Sequence, residues 1–478
     1  MELVIEGNVF FGGRVQKLAL GIEDGSIVQV KKTIRGVRST DFGDRLVIPG
    51  AVDAHVHFRE PGMTQKEDFQ SGTTAAACGG VTTVLDMPNT RPSTIWRSSL
   101  LEKAALARPK ACVDFGLFAA LVPSTGPQTL ADLAVGFKLY MGSTTGDLLV
   151  DDYSRLREML AGAARTGRPV AVHAEDERLL RSLKVRQKDL LTYDESRPSA
   201  AEVGAVRRFL AALEGGRGHV CHITTRGALE ALGRLPPGKG QKGQSGDAKE
   251  GLPVAGQEEP PAQEKGLAPP GGTANSERGP PALANGRSSG RLSCEVTPHH
   301  LLLDARRDSA LSTLGKVNPP LRTADEREAL WKAFAAGGIE LLASDHAPHL
   351  MEEKETGFGE APPGVPGTET MVPLMMMLIK GGRLDIGRLV EASCAAPAAL
   401  YGLDAGRLAV GQPAHLAVYD LHDVQKIRGK ALHSKCAWSP FEGRDAIFPR
   451  AVFLRGELIV EDGEPVEFGQ VLLVVEPS

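Results

Sequence analysis

Long hydrophobic runs are missing from this 478-residue sequence: no stretch of about 18 consecutive apolar residues occurs, so no membrane-spanning helix is expected. Cysteine is scarce. The six present (Cys78, Cys112, Cys221, Cys294, Cys394 and Cys436) show no paired spacing, which argues against a disulfide framework. A charge surplus of either sign is also absent: 55 Lys and Arg stand against 59 Asp and Glu, a formal charge of −4. A dedicated nucleic-acid binder would carry a basic excess or stripe, so neither nucleic acid nor membrane is expected as a partner. The opening residues, MELVIEGNVFFGGRV, lack the basic n-region and small-residue cleavage site of a secretory signal. Reduced thiols in a soluble, cytoplasmic protein are the resulting expectation. The length admits roughly two to four domain-sized units.

One segment is poor in apolar residues. Positions 236–290 hold 9 Pro and 12 Gly but no aromatics, and their only large aliphatics are Leu252, Val254, Leu267 and Leu283. Such a stretch buries too little apolar surface to offset its chain entropy, which predicts disorder. Its basic and acidic residues balance, so it has no electrostatic pull on nucleic acid.

Elsewhere short β-branched runs alternate with helix-forming segments. The runs are 48–57, 81–87, 114–121, 135–141, 169–173, 219–224, 291–297 and 339–345. Helical patterns such as 66–79, 152–165, 200–213 and 325–336 lie between them. Eight strands alternating with helices fit an α/β fold, the (β/α)8 TIM barrel, whose active residues sit at the C-terminal strand ends. A doubly wound sheet would show a Gly-rich phosphate turn after its first strand, and none is present. The expected organisation is a barrel over 48–404 interrupted by the insert 236–290. Segments 1–47 and 405–478 read as strands and turns that pair into a small β-sandwich.

Chemistry-bearing residues fall at the strand ends. Asp53, His55 and His57 alternate, so all three side chains share one face of the first strand and two imidazoles could meet one metal ion. A pair of solvent-facing or core histidines would give the same spacing. His173, His222 and Asp345 close three further strands, and a barrel mouth would gather these groups into a set suited to Zn2+ or a similar metal. Lys138 lies in the fourth strand among them. As an ammonium it would repel a metal and snorkel to the rim. If burial made it neutral, it could take up CO2 as an anionic carbamate.

These residues sit in longer motifs: DAHVHFREPG (53–62), KEDF (66–69), DMPNT (86–90), FKLYMG (137–142), HAED (173–176) and HITT (222–225). Beyond the insert come CEVTPHH (294–300), KVNPPLR (316–322), DHAPH (345–349) and GVPGTET (364–370). In this content and order the chain resembles the amidohydrolase superfamily and, within it, the dihydroorotases. The resemblance spans nearly everything except the insert. It implies two Zn2+ ions per subunit, one held by His55, His57 and Asp345, the other by His173 and His222. A CO2-derived carbamate on Lys138 would bridge them, since this chain has Lys where some bacterial relatives have Asp.

The implied reaction is the reversible closure of N-carbamoyl-L-aspartate to L-dihydroorotate with loss of water, the third step of de novo pyrimidine (UMP) synthesis. A zinc-activated hydroxide would act with Asp345 as general base and then acid. Arg59, Asn89 and His349 would clamp the exocyclic carboxylate of this small-molecule substrate. Asn318 and the backbone at Pro366 and Gly367 would meet the ring edge. Segment 350–367 would close as a lid. The resemblance admits a homo-oligomer and association with aspartate carbamoyltransferase.

Plainer readings stand beside these: a surface Arg59, a turn Asn89, a loop His349. Cys221 and His222 are consecutive, so strand alternation sends them to opposite faces and makes Cys221 a small core residue rather than part, with Glu295, of a third metal site. His219, His299, His300, His415, His422 and His433 read as structural or solvated. Alternative activities are those of an allantoinase, a hydantoinase or a dihydropyrimidinase, which share barrel and metals. A non-catalytic homologue acting as a partner protein would lack ligands, and all six positions here are filled.

Overall fold

The computed structural model describes residues 1–144, 146–235 and 292–466. The Gly/Pro-rich insert and the last residues of the C-terminal segment lie outside them. Eight strands follow one another in a single sheet: Ala51–Val56, Val81–Asp86, Asp114–Ala120, Gly136–Tyr140, Val170–His173, Gly218–Val220, Leu292–Val296 and Leu341–Leu342. Each pairs in parallel with the next. Every residue of the first three is buried, as expected where a parallel sheet is covered on both faces. The eighth strand meets the first through a parallel bridge between Val56 and His346, where His57 N donates to His346 O over 2.8 Å. This nearly closes the barrel.

Helices follow most strands and cover the outside. Helix Phe69–Cys78 starts at a reciprocal cap: Asp68 accepts from Ser71 N, and the Ser71 hydroxyl accepts from Asp68 N. Its buried face is Phe69 and Ala75 to Cys78, and Phe69 meets Phe58 edge-on at 5.7 Å. Helix Ser199–Ala212 buries Ala205, Val206 and Phe209 in the same way. No helix among the described residues is long and apolar enough to cross a membrane.

The two termini share a second sheet. Leu3–Phe11, Arg14–Glu23, Ser26–Lys31 and Arg38–Pro49 join Leu416–Tyr419, Pro449–Leu454, Glu457–Glu461 and Glu464–Pro465 in one eight-stranded array. The seam is the antiparallel pairing of Leu416 with Pro49 through Tyr419 with Leu46. Its own core includes Ile5, Val9, Leu20, Val418 and Phe453. Arg455, at the turn between two C-terminal strands, forms a two-pronged ion pair with Asp114 at the start of the third barrel strand, at 2.8 and 2.5 Å.

Beside that ion pair His415 is buried with neither ring nitrogen hydrogen-bonded among the described residues, and burial reinforced by Arg455 pushes its pKa down to about 3. An unfolded chain would protonate His415 below its ordinary 6.5 while the native state would not, so stability is full above that value and lost as the pH falls toward 3. At pH 5 the linkage amounts to about 2 kcal/mol. Denaturant midpoints of His415→Phe should therefore fall less steeply than wild type between pH 7 and 5.

All eight strand runs read from the sequence are present. The last is shorter than 339–345, because Ser344 N leaves the ladder to donate to Asp53 Oδ1 at 3.0 Å and Asp345 adopts a φ of 47°. That departure turns the Asp345 carboxylate into the mouth.

Candidate active site

Strand ends converge at the mouth on His55, His57, Lys138, His173, His222 and Asp345, which line one cavity together with Arg59, Asn89 and Asn318. Asp345 Oδ1 lies 3.4 Å from His55 Nε2 and 3.2 Å from His57 Nε2. Across the mouth His173 Nδ1 faces His222 Nε2 at 3.1 Å. Between them the Lys138 Nζ, 1% exposed as a residue, stands 3.3 Å from His55 Nε2.

The outward nitrogens of three imidazoles are held from behind. His55 Nδ1 meets Glu295 Oε1 at 2.5 Å, His57 Nδ1 meets Asn89 Oδ1 at 2.6 Å, and His173 Nε2 meets Glu175 Oε2 at 2.9 Å. A carboxylate or amide oxygen can only accept, so each of these nitrogens carries a proton. In the neutral His57 and His173 the opposite nitrogen keeps its lone pair toward the mouth, whereas His55, protonated on both nitrogens, would give up its Nε2 proton to a metal. His222 Nδ1 is buried with no hydrogen-bond partner among the described residues. The inward atoms suit a metal. Bonds of about 2.0 Å in a tetrahedron set neighbouring ligand atoms about 3.3 Å apart. The 3.1 to 3.4 Å separations around Asp345 and between His173 and His222 match that spacing.

Charge in the site is finely divided. Burial and Lys138 depress the His55 pKa, but Glu295, Asp345 and Cys221 outweigh them and lift it to about 10. Burial alone would raise Asp345, yet His55, His57 and His222 hold its carboxyl well below the usual range. Burial likewise disfavours the Glu175 anion, and Arg197 together with His173 brings it down to about 2. Burial and then His173 keep His222 neutral.

Arg59 lines the cavity and meets His349, which is buried beside it and is not part of the lining. Arg59, with a φ of 62°, donates from Nε to Pro348 O at 3.2 Å, and its Nη2 lies 3.3 Å from His349 Nε2. Asn89 joins the wall while its carbonyl oxygen serves His57. Asn318 accepts from the Tyr193 hydroxyl. Pro366 and Gly367 are not part of the lining: Gly367 N donates to His346 Nδ1 at 3.1 Å, and the segment reaches the cavity instead at Pro363 and Gly364. Gly364 has a φ of 137°, and a Cβ there would come within 2.5 Å of Ala347 O. The segment read as a lid is anchored by two lysines, Lys316 donating to Phe358 O and Lys354 to Pro362 O, each at 2.8 Å.

Cys221 is buried in the core, as alternation suggested, and also meets the site. His222 takes a φ of 33°, which breaks the strand geometry, and the buried Cys221 Sγ lies 2.9 Å from Lys138 Nζ as well as within a His55–Cys221–Glu295 group. Sequence reasoning also left several supporting residues without a role. Glu295 binds His219 at 2.9 Å through its second oxygen, and Arg197 fixes Glu175 from 22 residues away. Glu175 carried a signal, standing two residues after His173. Arg197 carried none. Replacing Glu295 with Ala removes the acceptor behind His55, and metal affinity measured by competition with a chelator should fall about 10- to 100-fold.

Comparison with known proteins gives the family. The Amidohydrolase family model matches residues 46–212 and 300–457. Dihydroorotase of Methanosarcina acetivorans is 36% identical, aligned over 94% of this chain and 90% of its own length. Dihydroorotase of Halobacterium salinarum is 34% identical over 97% of each. The solved L-hydantoinase (dihydropyrimidinase) of Arthrobacter aurescens superposes with a TM-score of 0.82 at 26% identity, covering 98% of this chain and 97% of its own. The fold described above is therefore shared over nearly its whole length with the solved L-hydantoinase. The chain belongs to the amidohydrolase family and, within it, to the dihydroorotases.

Proposed function

We propose that the chain interconverts N-carbamoyl-L-aspartate and L-dihydroorotate, closing or opening the ring amide with loss or gain of water. The observation that carries this reading is the Arg59–His349 pair beside the imidazole–carboxylate cluster, a buried cation within the same cavity as the reacting groups. Dihydroorotate differs from dihydrouracil and simple hydantoins by an exocyclic carboxylate. Burial disfavours the Arg59 guanidinium charge, and an anionic substrate group relieves that cost.

His55, His57 and Asp345 would hold one Zn2+ ion and His173 with His222 a second, with the Lys138 carbamate between them. When bound, such ions acidify water and polarise the ring carbonyl. The chain's own part is positioning and proton transfer. Glu295, Asn89 and Glu175 fix three imidazole rings in one tautomer. Asp345, kept ionised by its imidazole neighbours, accepts the proton of the attacking water and returns it to the departing ring nitrogen. Arg59 and His349 take the substrate carboxylate, while Asn89 and Asn318 line the remaining wall. The polypeptide at Pro363 and Gly364, next to His349, walls the cavity against water.

A second reading, hydrolysis of hydantoins or dihydropyrimidines, is favoured by the fold shared with L-hydantoinase. Zinc-loaded protein assayed with dihydroorotate, dihydrouracil, hydantoin and allantoin separates the two. Rapid opening of L-dihydroorotate with little turnover of the other three is expected. Turnover of a neutral ring with none of dihydroorotate would refute the proposal.

A further inference from the structure

Away from the groups used above, Cys78, Glu369 and His433 bring a sulfur, a carboxylate and an imidazole within reach of one ion. They come from separate elements. Cys78 is the last residue of helix Phe69–Cys78, Glu369 lies in the first turn of helix Thr368–Lys380, and His433 follows the short turn Gly429–Ala431. Cys78 and Glu369 are buried, whereas the His433 side chain is 20% exposed and opens the cluster to solvent. On that open side Glu464, 84% exposed, places Oε2 4.0 Å from His433 Nε2.

Glu369 fixes the ring twice. Its Oε1 meets His433 Nδ1 and its Oε2 accepts from the His433 backbone N–H, both at 2.8 Å. With the Nδ1 proton donated to the carboxylate, the lone pair lies on Nε2, which faces Cys78 Sγ at 3.8 Å. A carboxylate behind an imidazole whose other nitrogen faces a thiol is the arrangement that supports His and Cys ligands to zinc. Tetrahedral zinc with sulfur at about 2.3 Å and nitrogen at about 2.0 Å holds them about 3.5 Å apart, so closing this pair needs only a few tenths of an ångström.

We propose that Cys78 Sγ and His433 Nε2 bind a divalent ion of the zinc class, with Glu369 orienting the imidazole and Glu464 supplying a carboxylate oxygen from the solvent side. On binding, the Cys78 S–H bond breaks, its proton leaves to solvent, and the sulfur electron pair forms the metal bond. Thiolate and Glu464 together neutralise the double charge, which suits a half-buried place. Without the ion, burial and then Glu369 push the Cys78 thiol up, so it stays protonated and the ion itself drives deprotonation. The site would clip strand Glu464–Pro465 to helix Phe69–Cys78 and add to stability rather than to turnover.

Cobalt(II) serves as the probe, because a thiolate ligand gives it a strong near-ultraviolet charge-transfer absorption. Cys221, grouped with His55 and Glu295, is first removed by Cys221→Ala, so that a sulfur band cannot arise there. The full-length Cys221→Ala protein titrated with Co2+ should show the band. Adding Cys78→Ala should abolish it and lower bound cobalt by one ion per chain. His433→Gln, a second route to the same loss should Cys78→Ala disturb folding, should also abolish the band, while Glu464→Gln should weaken the Co2+ affinity at least threefold. Absence of the band in Cys221→Ala, or its survival in the Cys78 or His433 variant, overturns the proposal. So does an unchanged affinity in Glu464→Gln, as regards the solvent-side ligand.

Discussion

Replacing Asp345 with Asn is expected to lower kcat for dihydroorotate opening about 10³- to 10⁴-fold, with the protein still folded. The carboxylate lies within 3.4 Å of both His55 Nε2 and His57 Nε2, and its neighbours hold it ionised across the neutral range. An amide there can neither accept a proton nor return one, and it is also a poorer ligand. Because the second loss would appear as reduced metal content, kcat should be compared at saturating zinc. An Asp345→Asn protein of full activity under that condition would remove Asp345 from the proton-transfer role.

Arg59→Met should change specificity more than stability. Losing one member of a buried charged pair costs about 2–5 kcal/mol, which predicts a fall of about 30- to 5,000-fold in kcat/KM for dihydroorotate. Most of it should lie in KM, since the carboxylate is bound in ground and transition states alike. Dihydrouracil lacks that carboxylate, so its slow hydrolysis should be unchanged by the substitution. Equal losses on both substrates would show that Arg59 supports the site only through its bonds to Pro348 and His349.

The residues gathered at the mouth could be picked out in the sequence because most of them sit at or just beyond the end of an apolar β-branched run. Alternation along Ala51–Val56 placed Asp53, His55 and His57 on one face, and the barrel topology required the other strand ends to join them. Cys221 is the small core residue that alternation suggested, packed with Val52, Ala54 and Leu85, but its Sγ also lies 2.9 Å from Lys138 Nζ, a contact no periodicity encodes. Pro366 and Gly367 lay next to the true wall, and loop conformation, which no periodicity encodes, decided that Pro363 and Gly364 face the cavity. Arg197 and His219 were chosen by packing across the barrel, over separations that leave no local trace.

By itself the sequence determined the strand and helix order, the barrel and the inventory of imidazoles, carboxylates and lysine at its mouth. Hydrophobic periodicity and residue type are local properties, written directly into the chain. Only the tertiary structure decided which nitrogen of each histidine faces inward, which oxygen holds it there, and that Arg59 meets His349. The same holds for the meeting of Cys78 and His433, 355 residues apart. Hydrogen bonds and metal-ligand geometry depend on distances of a few tenths of an ångström between elements remote in sequence, and close packing of the folded chain sets those distances.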